Sequence, residues 1–195
     1  MTTLSAYGIV ERCGNHMPSR SLTDSEINQI VAHMDSKRDR ALFVLGCKTG
    51  FRISELLSLC ISDVSQKDSS ICDNITVRRC NMKGKSVSRT VPLHDKAKEA
   101  LSLYIHSVPL ISTSKLFPIS RIHAWRILKA ATNALQLKGK VSTHSMRKSF
   151  AMGVYERTNK DIVATQKALG HASLASTSHY LDVNRDTVDA AILSG

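Results

Sequence analysis

A mainly helical α+β domain is the fold class this chain predicts. Apolar residues recur at three- and four-residue spacing through most of its length, the mark of amphipathic helices. One stretch, residues 74–93, switches to two-residue alternation on either side of a glycine, the mark of a short hairpin. Capping residues and glycines bracket the helical runs closely enough to order them along the chain.

Residues 1–20 show no periodicity and mix Gly8, Gly14, Asn15 and Pro18, which reads as a flexible arm or linker. A first helix begins at Thr23, where Glu26 three residues on completes a capping box. Ile27, Ile30, Val31 and Met34 then share one face. A second helix covers Arg40 to Cys47 and ends at Lys48-Thr49-Gly50, where Gly50 supplies a turn. Arg52 follows directly, ahead of a helix through Leu56, Leu57 and Leu59. Asn74 to Cys80 and Val87 to Leu93 form the hairpin, with Gly84 at its turn, Lys83 and Lys85 at its tip and Pro92 stopping the second strand. Helices are expected at Lys96–Ile105, at Ser120–Leu135 (Ile122, Trp125, Leu128 and Leu135 among its apolar positions), and from Ser142 or Thr143 through His144 and Arg147. An amphipathic helix at 160–169 ends at Gly170; residues 173–182 carry Tyr180, and Asp186 to Leu193 suits a last short helix. One domain, residues 21–195, follows the arm.

The 195 residues carry a formal net charge of +11, which favours a polyanionic partner such as nucleic acid, or less readily an anionic membrane face. The basic residues are dispersed, with mild clustering at Arg78-Arg79, Lys83-Lys85 and Lys138-Lys140, which suits a folded basic surface rather than a tail. Five cysteines, at 13, 47, 60, 72 and 80, form no CxxC pair, which argues against a disulfide scaffold and a zinc knuckle. Cys47 and Cys60 fall in apolar helical runs and read as buried thiols. No membrane-length apolar stretch and no secretory signal are visible, so a reducing cytoplasm is the expected compartment.

Phosphodiester cleavage needs an in-line nucleophile, positive charge on the nonbridging oxygens and a proton for the leaving alkoxide. Arginine suits the second task because its planar fork binds phosphate bidentately and stays charged. His144 and Arg147, three residues apart, share a face if their segment is helical, and both can then face one phosphate. Tyr180 as nucleophile would store the bond energy in a phosphotyrosyl ester, so that rejoining needs no ATP. Taken singly, each residue has an ordinary reading. His-x-x-Arg suits a solvated helix face, Tyr180 a packing tyrosine, His171 a structural histidine at a helix end, and Arg52 a helix-start arginine paired with Glu55. His179 adjoins the tyrosine but points about a quarter-turn away in a helix, and is left out. A zinc site from His171, His179, Cys72 and Cys80 has no recognisable ligand spacing.

Together the segments are more specific. Thr49-Gly50-Phe51-Arg52-Ile53-Ser54-Glu55-Leu56-Leu57, then Thr143-His144-Ser145-Met146-Arg147, then Leu169-Gly170-His171 with Tyr180 nine residues after the histidine, resemble in order the three boxes of the tyrosine recombinase (phage integrase) catalytic domain. Arg89-Thr90-Val91-Pro92-Leu93 is similar to the strand after that family's catalytic-lysine hairpin. The resemblance covers residues 20–183. It implies a helical catalytic domain with a small antiparallel sheet, acting as a site-specific recombinase without metal, cofactor or ATP. Arg52 and Arg147 would clamp the scissile phosphate, His144 would act as a donor or proton acceptor, and His171 would hydrogen-bond the phosphate or order the site. Glu55 would support them from behind. Tyr180 would attack, leaving a 3′-phosphotyrosine and a free 5′-hydroxyl whose proton comes from a hairpin lysine. Lys83 is the choice for that acid; counted back from Arg89, the loop is one residue longer than the family's common pattern for Lys83 and shorter for Lys85, so Lys85 stays open.

The implied partners are double-stranded DNA at inverted core sites and a homotetramer in synapsis resolving a Holliday junction; accessory DNA-bending proteins stay an open class. Most family members also carry an N-terminal helical clamp domain, for which residues 1–20 are too short. The chain is then either a fragment or similar to short stand-alone members such as fimbrial-switch recombinases. Two rival readings are a type IB topoisomerase, against which the third box weighs, and a catalytically silent DNA-binding regulator, against which the retained nucleophile and both arginines weigh.

Overall fold

The computed structural model describes residues 18–66, 68–78, 88–109, 113–181 and 193. Eight α-helices, a short 3-10 helix at Ile61–Asp63 and one two-stranded antiparallel sheet make up the elements among them. Helix α1 spans Asp24–His33 and α2 spans Lys37–Thr49; the short α3 covers Ile53–Leu56. Strands β1 (Asn74–Val77) and β2 (Arg89–Pro92) follow, and then α4 (Asp95–Ile105) and α5 (Arg121–Ala134). Helices α6 (Thr143–Arg157), α7 (Ile162–Leu169) and α8 (Leu174–Ser178) complete the described chain. The mainly helical α+β expectation is what the chain adopts.

Helix starts follow the caps. Thr23 accepts from the Glu26 amide and Glu26 returns the bond, closing the expected capping box. Helix α2 starts three residues earlier than the apolar run at Arg40, because Ser36 caps it through the Asp39 amide. Ser120, Ser142 and Asp161 cap α5, α6 and α7 in the same way. Gly50 and Gly170 close α2 and α7 in the left-handed conformation, at φ 60° and 61°. Ser19 and Arg20, assigned to the arm from sequence, bind the segment before α6: Ser19 Oγ meets Ser142 Oγ at 2.7 Å, and the Arg20 amide donates to Lys140 O at 3.0 Å.

Three expectations are corrected. The helix expected through Leu59 stops at Leu56; Leu59 is buried in the core, and its carbonyl accepts from the Leu116 amide, pairing it with a distant segment. Cys60 is only half-buried, since it bridges Lys115 outside any α-helix. On α5 the small residues Ala124 and Ala131 face the core with Leu128, while the bulkier Ile122 and Trp125 face out. The Lys83 and Lys85 hairpin tip lies outside the described residues, as does most of the expected tail helix.

Helix α2 is central, packed between α4 and α6. The main core joins α1 to α5, both strands and the start of α6 through Met146. A second, small core of Ala151, Leu169 and Leu181 lies between the later part of α6, α7 and the segment after α8, with Phe150 and Tyr180 against it. In the sheet, Ile75 pairs with Val91 and Val77 with Arg89. These four residues are buried, while Thr76 and Thr90 face out and join hydroxyls at 2.8 Å. No helix among the described residues is long and apolar enough to cross a membrane.

Gly50 is where the backbone has least latitude, because a Cβ there would overlap the Phe150 ring and force an L-residue into positive φ. Gly50→Ala is predicted to destabilise the fold by about 2–5 kcal/mol, the sum of a left-handed backbone and an overpacked contact. Chemical denaturation with an unchanged m-value checks this; a loss below about 1 kcal/mol would mean the Phe150 side moves aside freely.

Candidate active site

The three sequence segments meet around one guanidinium. Arg147, 1% exposed, lies in the second turn of α6. Its Nη1 donates to the Gly50 carbonyl at the end of α2. Its Nη2 donates to Leu169 O and to His171 Nε2, both at 2.9 Å. Because a guanidinium only donates, His171 Nε2 is the acceptor, and its Nδ1–H is left to donate to Thr177 Oγ1 at 3.0 Å. The histidine is thereby fixed as one neutral tautomer. Burial pushes the Arg147 pKa down, to about 10, and the Arg52 charge adds to this, while Tyr180 and Glu55 oppose it. The group is still charged at neutral pH.

Arg52 caps α3. Its amide and its Nη1 donate to the two carboxylate oxygens of Glu55, each at 2.8 Å, and Glu55 is itself 1% exposed. The pair leaves the rest of the Arg52 fork facing a cleft of about 380 Å³, lined by Arg52, Arg121, His144, Arg147 and Tyr180 among others. His144 is exposed on the first turn of α6, where the helix N-terminus also favours an anion. Although His144 keeps an exposed edge, partial desolvation against the cleft wall holds its pKa below the ordinary value, helped by the charges of Arg121, Arg147 and Arg52. Tyr180 follows α8. Its ring lies 5.0 Å from the His171 ring and 5.4 Å from the Arg147 guanidinium carbon.

The structure therefore brings Arg52, His144, Arg147 and Tyr180 to one cleft and places Glu55 and His171 behind it as partners of the two arginines. His179 caps α8, is exposed and does not line the cleft. Three residues escaped the sequence reading. Arg121, the first residue of α5, lines the cleft, and no local pattern brings α5 to α6. Thr177 sits inside the third segment, yet only the fold turns its hydroxyl towards His171. Arg89 is 9% exposed on β2; its alternation with Val91 was the available signal that it faces inward. Chemically, the cleft holds fixed positive charge and hydrogen-bond donors beside a phenol, an arrangement that favours a phosphate oxyanion.

The Phage integrase family pattern matches residues 20–186. The chain is 34% identical over 182 residues to the probable integrase/recombinase YoeC of Bacillus subtilis, covering 89% of this chain and 93% of that protein. It is 33% identical over 193 residues to tyrosine recombinase XerD of Corynebacterium glutamicum, covering 90% of this chain but 60% of that one. Among solved structures, the XerA recombinase superposes with a TM-score of 0.70 at 26% identity, over 92% of this chain and 64% of that chain. The chain belongs to the phage integrase family, the tyrosine recombinases.

A neutral His144 beside three cations is directly measurable. Its NMR titration midpoint is predicted to lie below histidine's ordinary value of about 6.5, to rise in Arg121→Ala, and to rise when inorganic phosphate occupies the cleft. A midpoint unmoved by Arg121→Ala would show that the α5 charge does not reach the ring.

Proposed function

We propose that this chain is a site-specific recombinase that cleaves and rejoins double-stranded DNA through a 3′-phosphotyrosyl intermediate, without metal or ATP. The observation that carries the reading is the single cleft shared by Arg52, His144, Arg147 and Tyr180, with His171 bonded to Arg147. The net charge of +11 suits a polyanionic substrate. The Tyr180 hydroxyl attacks the scissile phosphorus, and the bond from phosphorus to the 5′-oxygen breaks. Arg52 and Arg147 take the charge growing on the nonbridging oxygens. Neutral His144 accepts the phenolic proton or donates to the phosphate, and His171 keeps the Arg147 fork in plane. The 5′-oxygen takes its proton from the hairpin, from Lys83 or otherwise Lys85. Attack by the 5′-hydroxyl of a second strand reverses these steps and frees Tyr180.

In this reading residues 21–195 form the catalytic domain, to which Ser19 and Arg20 are also bonded. The enzyme works in the cytoplasm as a tetramer on paired inverted sites, with accessory DNA-bending proteins as further candidates. The chain spans 60% of the XerD relative's length and 93% of YoeC's.

A nicked suicide duplex tests the chemistry. Wild-type protein is expected to form a covalent adduct in EDTA, and Tyr180→Phe to lose it while still shifting the duplex on a native gel. Arg52→Gln, which keeps a hydrogen-bonding group beside Glu55, is expected to slow cleavage by roughly 10²–10³. An adduct surviving in Tyr180→Phe would remove the tyrosine from its role. Relaxation of supercoiled plasmid without two-site recombination would favour a topoisomerase.

A further inference from the structure

Arg89 is an unusual residue for the place it occupies. It pairs with Val77 across the sheet and points inward with Ile75, Val77 and Val91, at 9% exposure. A buried guanidinium is costly unless its donors are met, and an apolar side chain there would serve stability better. Yet Arg89 makes no ion pair among the described residues, and its Nε and Nη1 find no hydrogen-bond partner among them. What it does hold is specific. Its Nη2 donates to Thr49 O at 2.7 Å, and its guanidinium carbon lies over the Phe51 ring, 5.0 Å from the centroid.

Thr49 and Phe51 flank Gly50, whose carbonyl receives Arg147 Nη1, and Arg52 comes next. The turn is further tied by the Thr49 hydroxyl, which donates to Leu45 O and accepts from the Phe51 amide. Arg89 therefore grips both neighbours of the carbonyl that seats Arg147. From this we infer that Arg89 is a positioning residue for strand cleavage: it fixes the turn at 49–51 so that Arg52 and Arg147 meet one phosphate, and it sets another positive charge behind them. The inference rests on the recombinase reading above. The charges sense one another: burial first, and then Arg147, pushes the Arg89 pKa down to about 10, while Glu55 opposes the shift. The five-donor fork explains why arginine rather than lysine occupies the position, since one face must stack while one edge bonds.

The test uses the full chain with Arg89→Met and Arg89→Lys, on suicide duplexes carrying either the ordinary scissile phosphate or a neutral methylphosphonate. Thermal melting fixes a temperature at which each variant is folded. If Arg89 acts through the phosphate clamp, Arg89→Met slows cleavage of the phosphate by on the order of tenfold or more and loses much less on the methylphosphonate, which develops less negative charge. Arg89→Lys, retaining charge without the fork, falls between wild type and Arg89→Met in that ratio. Equal losses on both substrates, or none, in folded protein would overturn the inference and leave Arg89 a packing residue. Should Arg89→Met fail to fold, the ratio in Arg89→Lys decides: unchanged from wild type, it overturns the inference. Wild-type protein that forms no adduct on either duplex would instead overturn the recombinase reading itself.

Discussion

Arg147 is the group on which the rest of the structure depends. Segments nearly a hundred residues apart meet because its fork bonds the Gly50 carbonyl, the Leu169 carbonyl and the His171 ring together. Two of those acceptors are backbone carbonyls at helix ends, where the last oxygens lack intrahelical partners and carry partial negative charge. The left-handed glycines at 50 and 170 follow from the same demand, since each helix must stop where its carbonyl can face the fork. One side chain thus sets the end of α2, the end of α7 and the tautomer of His171.

The arrangement costs stability. Arg52, Arg89 and Arg147 converge with Glu55 as the buried carboxylate among them, and Glu55 is already bonded to Arg52. Burying like charges together is unfavourable by itself and is tolerated where a bound anion offsets it. Burial first, and the neighbouring cations after it, hold the Arg89 and Arg147 pKa values below the ordinary arginine range. A site already desolvated and charged needs little reorganisation when negative charge develops, which is how fixed donors accelerate phosphoryl transfer.

The two cores divide the labour. The large core holds the arginines and their turn rigidly, with α2 at its centre. Tyr180 leans on the small core of Ala151, Leu169 and Leu181, where far less apolar surface holds the chain. Less burial means a lower cost of local opening, so the Tyr180 segment is the part of the cleft most easily moved relative to Arg52 and Arg147. Helix α6 spans both cores and carries His144 and Arg147 at its start, so that start is the fixed reference for both.

By itself the sequence determined what local chemistry controls: the capping box at Thr23, the glycine stops at 50 and 170, the antiparallel pairing of 74–77 with 89–92 and the three segments in their order. It also paired Arg52 with Glu55, because a helix start places residues three apart within reach. Spacing along the chain carries no distance across it, and so three things were decided only by tertiary structure. Leu59 left its helix to pair with Leu116. Arg121 arrived in the cleft from α5, a helix whose small face packs inward. Arg89, on a strand that alternation alone marks as half-buried, turned out to hold the turn that seats Arg147. Hydrogen bonds to distant carbonyls leave no periodic trace in a sequence; they exist only once packing has brought the helix ends together.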